Sequence, residues 1–250
     1  MGIVQIIDPF YQKLDPNVSA RVPQVGQIVN VVSPHPEVIP RILDVERADP
    51  TEHYATKFEI RPFDERVDFK KKDRLPIKML NLGLTEEVLA QTAKLRPAIV
   101  VAADFTIFDD VAKDLKTVGR KHLQQPFVHV VPLYGIQTDQ HTGGFPPRMV
   151  ARIRALMYKQ FFFCPSKNSP LTVDSVARLD RMHPVLHTSV AGVKSPAFIP
   201  TDYALSPEAL GVLMGMMREL FGSTEEPLLK VVRELAMEAL PAEARAAAGV

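Results

Sequence analysis

A mainly β chain with helical decorations (α+β) is what this sequence predicts, on three observations. Its 250 residues include 22 prolines and no tryptophan, which argues against a long-helix bundle and suits short strands with many loops. Its apolar residues fall in short runs closed by turn residues, at 26–32, 97–103, 127–133, 160–164, 175–179 and 197–199. Helix signals are confined to a few places, the strongest at Ser206-Pro207-Glu208, which joins a capping side chain, a proline at the first helical position and an acid behind it.

Taken in order, residues 1–24 read as an N-terminal arm. A short strand is expected at 3–7, and Pro9, Pro16 and Pro23 interrupt the rest. The first full strand is 26–32, stopped by Ser33-Pro34-His35-Pro36. Residues 34–94 form a long insertion. Within it 54–63 alternates loosely, as a half-exposed strand does, and Lys70-Lys71-Lys72-Asp73-Arg74 is a basic run. Thr85 is expected to cap a helix with Glu86 and Glu87 in its first turn.

Arg96-Pro97 then opens an apolar run that reads as a strand buried on both faces, with the proline at its first position. An arginine at the mouth of such a rigid element is placed to hold a phosphate or stabilise charge. A short helix is expected at 109–116, a strand at 127–133, a Gly-, Thr- and His-containing loop at 137–147 and a helix at 147–158. Strands at 160–164, 175–179 and 197–199 precede the helix after Ser206, which Gly222 ends. A last helical segment at 228–240 leads into an Ala-rich tail expected to fray. The resulting division is an arm at 1–24, a main domain at 25–222 and a C-terminal helix and tail at 223–250.

Five of these segments, in this order, resemble the MazF/PemK family of endoribonuclease toxins: Val25-Gly26-Gln27-Ile28-Val29-Asn30-Val31, Arg96-Pro97 with its apolar run, Val128-His129-Val130-Val131-Pro132-Leu133-Tyr134, Asp174-Ser175-Val176-Ala177-Arg178-Leu179-Asp180-Arg181-Met182, and Leu205-Ser206-Pro207-Glu208. The resemblance covers about half of the chain. It implies a small SH3-like antiparallel barrel, here with the 34–94 insertion and C-terminal helices. It also implies metal-independent cleavage of single-stranded RNA, a cognate antitoxin and a homodimer. Its principal catalytic group maps to Arg96. The position of its assisting Thr or Ser is held here by Tyr134, whose hydroxyl can donate to a phosphate oxygen but whose ring is far larger. Asp104, Asp180 and His183 are the expected supporting groups. The chain departs from the family at Gly26-Gln27, where Gly-Asp is common, and around Asp180-Arg181-Met182-His183.

Two basic clusters are candidates for RNA contact: Lys70, Lys71 and Lys72, and Arg148 with Arg152. A net charge of +1 gives no global basic field, which counts against a free-standing nucleic-acid binder. That charge, the insertion and Tyr134 also suit a different class, a catalytically silent barrel used as an interaction module. Nucleic-acid binding without cleavage is a third reading. The single cysteine, Cys164, follows three phenylalanines and reads as a buried small hydrophobe. His183 and His187 stand four apart, but Pro184 denies them a helix and no metal site is expected. Neither a signal peptide nor a membrane-length apolar run is seen, so a cytoplasmic protein is the expectation.

Overall fold

In a computed structural model the chain is described at residues 2–19, 23–49, 51, 53–70, 82–83, 85–103, 113, 127–136, 144–186, 198–222 and 227–248. It divides into two compact units, Met1–Ser33 with Leu95–Val250, and Pro34–Lys94. The larger unit carries an eight-stranded sheet. Its strands are β1 (Tyr11–Lys13), β2 (Gln27–Pro34), β6 (Ala93–Ala102), β7 (Phe127–Gly135), β8 (Phe161–Cys164), β9 (Ser175–Arg178), β10 (His183–Leu186) and β11 (Phe198–Leu205). The smaller unit carries β3 (Arg41–Glu46), β4 (Lys57–Arg61) and β5 (Leu89–Ala90) in the order β4-β3-β5.

The large sheet runs β1-β11-β2-β6-β7-β9-β8, with β10 also paired to β7. Strand β7 is therefore central: β6 lies along one edge, and β9 and β10 share the other. Register shifts interrupt β11–β2 and β6–β7, and bulges of this kind bend a sheet. The sheet is not a closed barrel. Its end strands, β1 and β8, are three and four residues long, and in the sheet order each has one neighbour.

Two apolar clusters are assembled on this sheet. The larger gathers Ile28, Ile99, Val131, Leu133, Phe162 and Leu179 with helix residues. The smaller consists of Val29, Val31, Ala98, Val100, Val128, Val130, Val185 and Phe198. Alternate residues of β2, β6 and β7 thus serve opposite faces, as a pleated strand requires. Both faces being apolar explains the continuous run 98–101.

The helices of this unit are α1 (Ile3–Ile6), α2 (Pro16–Ser19), α3 (Pro147–Arg154), α4 (Pro207–Phe221), α5 (Pro227–Glu238) and α6 (Ala242–Ala248). Helix α4 starts as its sequence dictates. Ser206 accepts a hydrogen bond from the Ala209 N–H, Pro207 occupies the first turn and Gly222 follows the last. Its buried side of Ala209, Val212, Leu213 and Met216 joins the larger cluster, with Met217 packed against it, so these two methionines serve as packing.

Several expectations change. Residues 3–6 are helical, not extended. Ile3, Ile7, Phe10 and Tyr11 are buried, β1 pairs with β11, and α1 packs on α5. So short a segment as Ile3-Val4-Gln5-Ile6 carries no period, so its state follows from what it packs on. No helix follows Thr85. Glu86 instead accepts from the Gly83 N–H and Glu87 from the Phe69 N–H, and Leu89 and Ala90 pair with β3. The tail is helical as α6, a good use of alanine, and packs on α3. The strand after residue 197 is longer than expected, reaching Leu205. The helix expected at 109–116 lies outside the described residues except for Lys113.

Candidate functional site

Strand β6 begins at Ala93, so Pro97 lies inside it and not at its start. Its register with β7 nevertheless runs from Ala98, opposite Pro132. This is the first residue after the proline, which has no N–H to donate to a ladder. Continuing that register places Arg96 opposite Tyr134. The two meet: the Arg96 guanidinium carbon lies 4.5 Å from the centre of the Tyr134 ring. Both side chains are half-buried. Among the described residues Arg96 makes no ion pair, and neither Asp180 nor any other described carboxylate neutralises it. Tyr134 faces Val176 of β9 on its other side and packs against the larger cluster.

The same face continues along β9. Val176 is opposite Tyr134, and extending the register sets Arg178 opposite Pro132. Arg178 was not singled out by its sequence context, although an arginine two residues before an aspartate is a sign of a local pair. Its Nε and Nη2 donate to the two oxygens of Asp180 at 2.8 and 2.6 Å, and its guanidinium lies 5.1 Å from the Phe161 ring. Arg181 approaches the same carboxylate at 3.6 Å. Asp180 is thus the anchor of two arginines.

The hydrogen bonds from Arg178 hold the Asp180 carboxyl below the ordinary aspartate range. A carboxyl lowered on folding stabilises the fold above its unfolded pKa, and this is lost as the pH falls through its folded pKa. Asp180→Asn should therefore flatten the acid limb of stability below about pH 4, measured by urea unfolding across that range. The pair is about one-third exposed, so the effect should stay under about 1 kcal/mol.

His183 is not brought to Arg96 and Tyr134. It pairs with Val130, four residues along β7 from Tyr134, or about 13 Å at strand rise. Its Nδ1 is 3.1 Å from the Arg181 carbonyl, which can only accept, so Nδ1 carries the proton. Arg148 and Arg152 lie on α3, which packs on β8, two strands away from β7. Lys70 is exposed and belongs to the smaller unit. Asp104, Lys71, Lys72 and His187 lie outside the described residues.

Other singled-out groups have structural work. Asp174 accepts from the Ser166 N–H and hydroxyl, both at 2.9 Å, and from Arg154 at 3.1 Å, closing the turn between β8 and β9. Cys164 is buried, and burial pushes its thiol well up, so it stays protonated. Among the described residues no three His, Cys, Asp or Glu side chains converge as metal ligands. No described helix is long and apolar enough to cross a membrane. No family model matches this sequence, and no curated protein matches it.

Proposed function

We propose that this chain is a metal-independent endoribonuclease of the MazF/PemK kind, acting on single-stranded RNA in the cytoplasm. The observation that supports it is the Arg96–Tyr134 pair: a half-buried guanidinium with no carboxylate partner among the described residues, seated on a ring at the centre of a rigid sheet. A fixed, un-neutralised cation is what a phosphoryl transition state needs. In the proposed reaction the 2′-oxygen attacks the adjacent phosphorus and the bond from phosphorus to the 5′-oxygen breaks. The 2′-hydroxyl proton leaves to a base and the departing 5′-oxygen gains one. Products are a 2′,3′-cyclic phosphate and a 5′-hydroxyl. Arg96 would donate to the non-bridging oxygens as their charge grows.

On this reading the bent, bulged sheet is an SH3-like barrel that has opened at its ends, and an antitoxin and a second copy of the chain are the expected partners. The test is incubation of a long mixed-sequence RNA with the purified chain in EDTA, beside the same sequence as DNA. Fragments with 5′-hydroxyl ends from RNA alone are the expected result. Intact RNA at high protein concentration would rule the reading out.

One observation favours the silent interaction module. Arg178, the next cation along the face, is held by Asp180, which lowers the positive potential a phosphate chain would meet. Under that reading RNA neither binds nor is cut. Binding without cleavage would show instead as an affinity falling steeply with salt.

A further inference from the structure

Tyr134, we infer, serves this site through its ring and not its hydroxyl: it is a positioning residue that holds the Arg96 guanidinium while leaving its charge intact. The inference rests on the endoribonuclease reading, and it departs from the expectation that the phenol itself orients the phosphate.

Carboxylates hold several arginines of this molecule. Arg61 is fixed by Asp44 and Asp68, Arg154 by Asp174, Arg178 by Asp180 and Arg233 by Glu219. Each of these cations is opposed by a carboxylate within hydrogen-bond distance. Arg154 and Arg178 also lie over rings, of Phe163 and Phe161. Arg96 differs in having the ring without the carboxylate.

The difference matters chemically. A carboxylate fixes a guanidinium by cancelling its charge nearby, so a phosphate arriving there meets a neutral pair. A ring face attracts the cation through its quadrupole and leaves the net charge unchanged. A free arginine side chain also has many rotamers to lose before it can act. Stacking on a ring removes that freedom in advance, which is the condition for stabilising developing charge without reorganisation.

The ring is suited to the task because it is itself fixed. Tyr134 is in the central strand, its Cα opposite Val176, which is fully buried, and its side chain packs on the larger cluster. Direct cross-strand placement brings the bases of the Arg96 and Tyr134 side chains to about 5 Å, so the long arginine has only to fold over its neighbour.

The test compares Tyr134→Phe with Tyr134→Leu in RNA cleavage in EDTA, with kcat and KM measured separately and thermal midpoints measured for each variant. Phe keeps the ring and loses the hydroxyl, and Leu keeps apolar bulk and loses the ring. Phe should stay within about twofold of the wild-type kcat, while Leu should fall about 3- to 30-fold at little change in KM, the size a cation–π contact supports. The Arg96 side-chain protons should show an upfield ring-current shift in the wild type and the Phe variant that is lost in the Leu variant. If Phe falls as far as Leu, the hydroxyl acts on the phosphate and the inference is overturned. The same holds if Leu cleaves like the wild type, or if the ring-current shift is missing. A wild-type chain that leaves RNA intact removes the reading itself and this inference with it. A wild-type chain that cuts while Leu is unaffected removes the inference alone.

Discussion

On the endoribonuclease reading, Arg96→Ala is expected to lower the rate of RNA cleavage about 10²- to 10³-fold, the usual cost of removing one preorganised donor from a site where charge develops. The loss should fall on kcat, because the interaction strengthens as negative charge builds on the phosphate. Stability should change by less than about 1 kcal/mol, since the side chain is half-buried and its contact is a single ring. Arg96→Lys separates charge from shape. Lysine restores the charge but neither the planar fork nor the flat stack on Tyr134, so it should recover only part of the rate. Initial rates at saturating RNA, in EDTA, decide the matter. An alanine variant that cuts as fast as the wild type would remove Arg96 from the chemistry.

The elements most legible in the sequence were those whose local signals agree with their tertiary setting. Pro97 followed by a continuous apolar run could only be buried on both faces, and the two clusters on opposite faces of β6 and β7 account for it. Ser206-Pro207-Glu208 carries its own hydrogen-bonding solution, and α4 uses it. Local signals misled where a polar group had a second use. Glu86 and Glu87 look like the first turn of a helix, yet both carboxylates cap loop N–H groups. Strand β3 was not legible because its apolar residues, Ile42, Leu43 and Val45, alternate imperfectly around Asp44, which pairs with Arg61. For the site, Arg96 and Tyr134 were legible only through the order of segments along the chain. Their contact depends on a register between strands more than twenty residues apart, and so does the separation of His183 from them. No period or motif in a single strand encodes that register.

The largest stability effect is expected from Arg233→Ala. Arg233 of α5 donates to both oxygens of Glu219 of α4, at 3.1 and 2.6 Å, and through Nε to the Leu156 carbonyl at 2.9 Å. The Glu219 side chain is fully buried and Arg233 is 16% exposed. Leu156 follows the end of α3 in the left-handed region, at φ 56°, so the carbonyl it offers comes from a turn that a leucine adopts at a cost. One guanidinium from the middle of α5 therefore reaches both the last turn of α4 and the turn that follows α3. Removing it leaves a buried carboxylate without that counter-charge, a change that costs about 3–5 kcal/mol. This is a large share of the roughly 5–15 kcal/mol that stabilises a typical domain. Replacing both partners, Arg233→Met with Glu219→Leu, should recover most of the loss, because an apolar pair has no charge to strand. Urea unfolding of the three chains at neutral pH measures both effects. A single variant within about 1 kcal/mol of the wild type at neutral pH would mean that the α4–α5 packing at Gly215 and Leu229, and not the ion pair, holds these helices together.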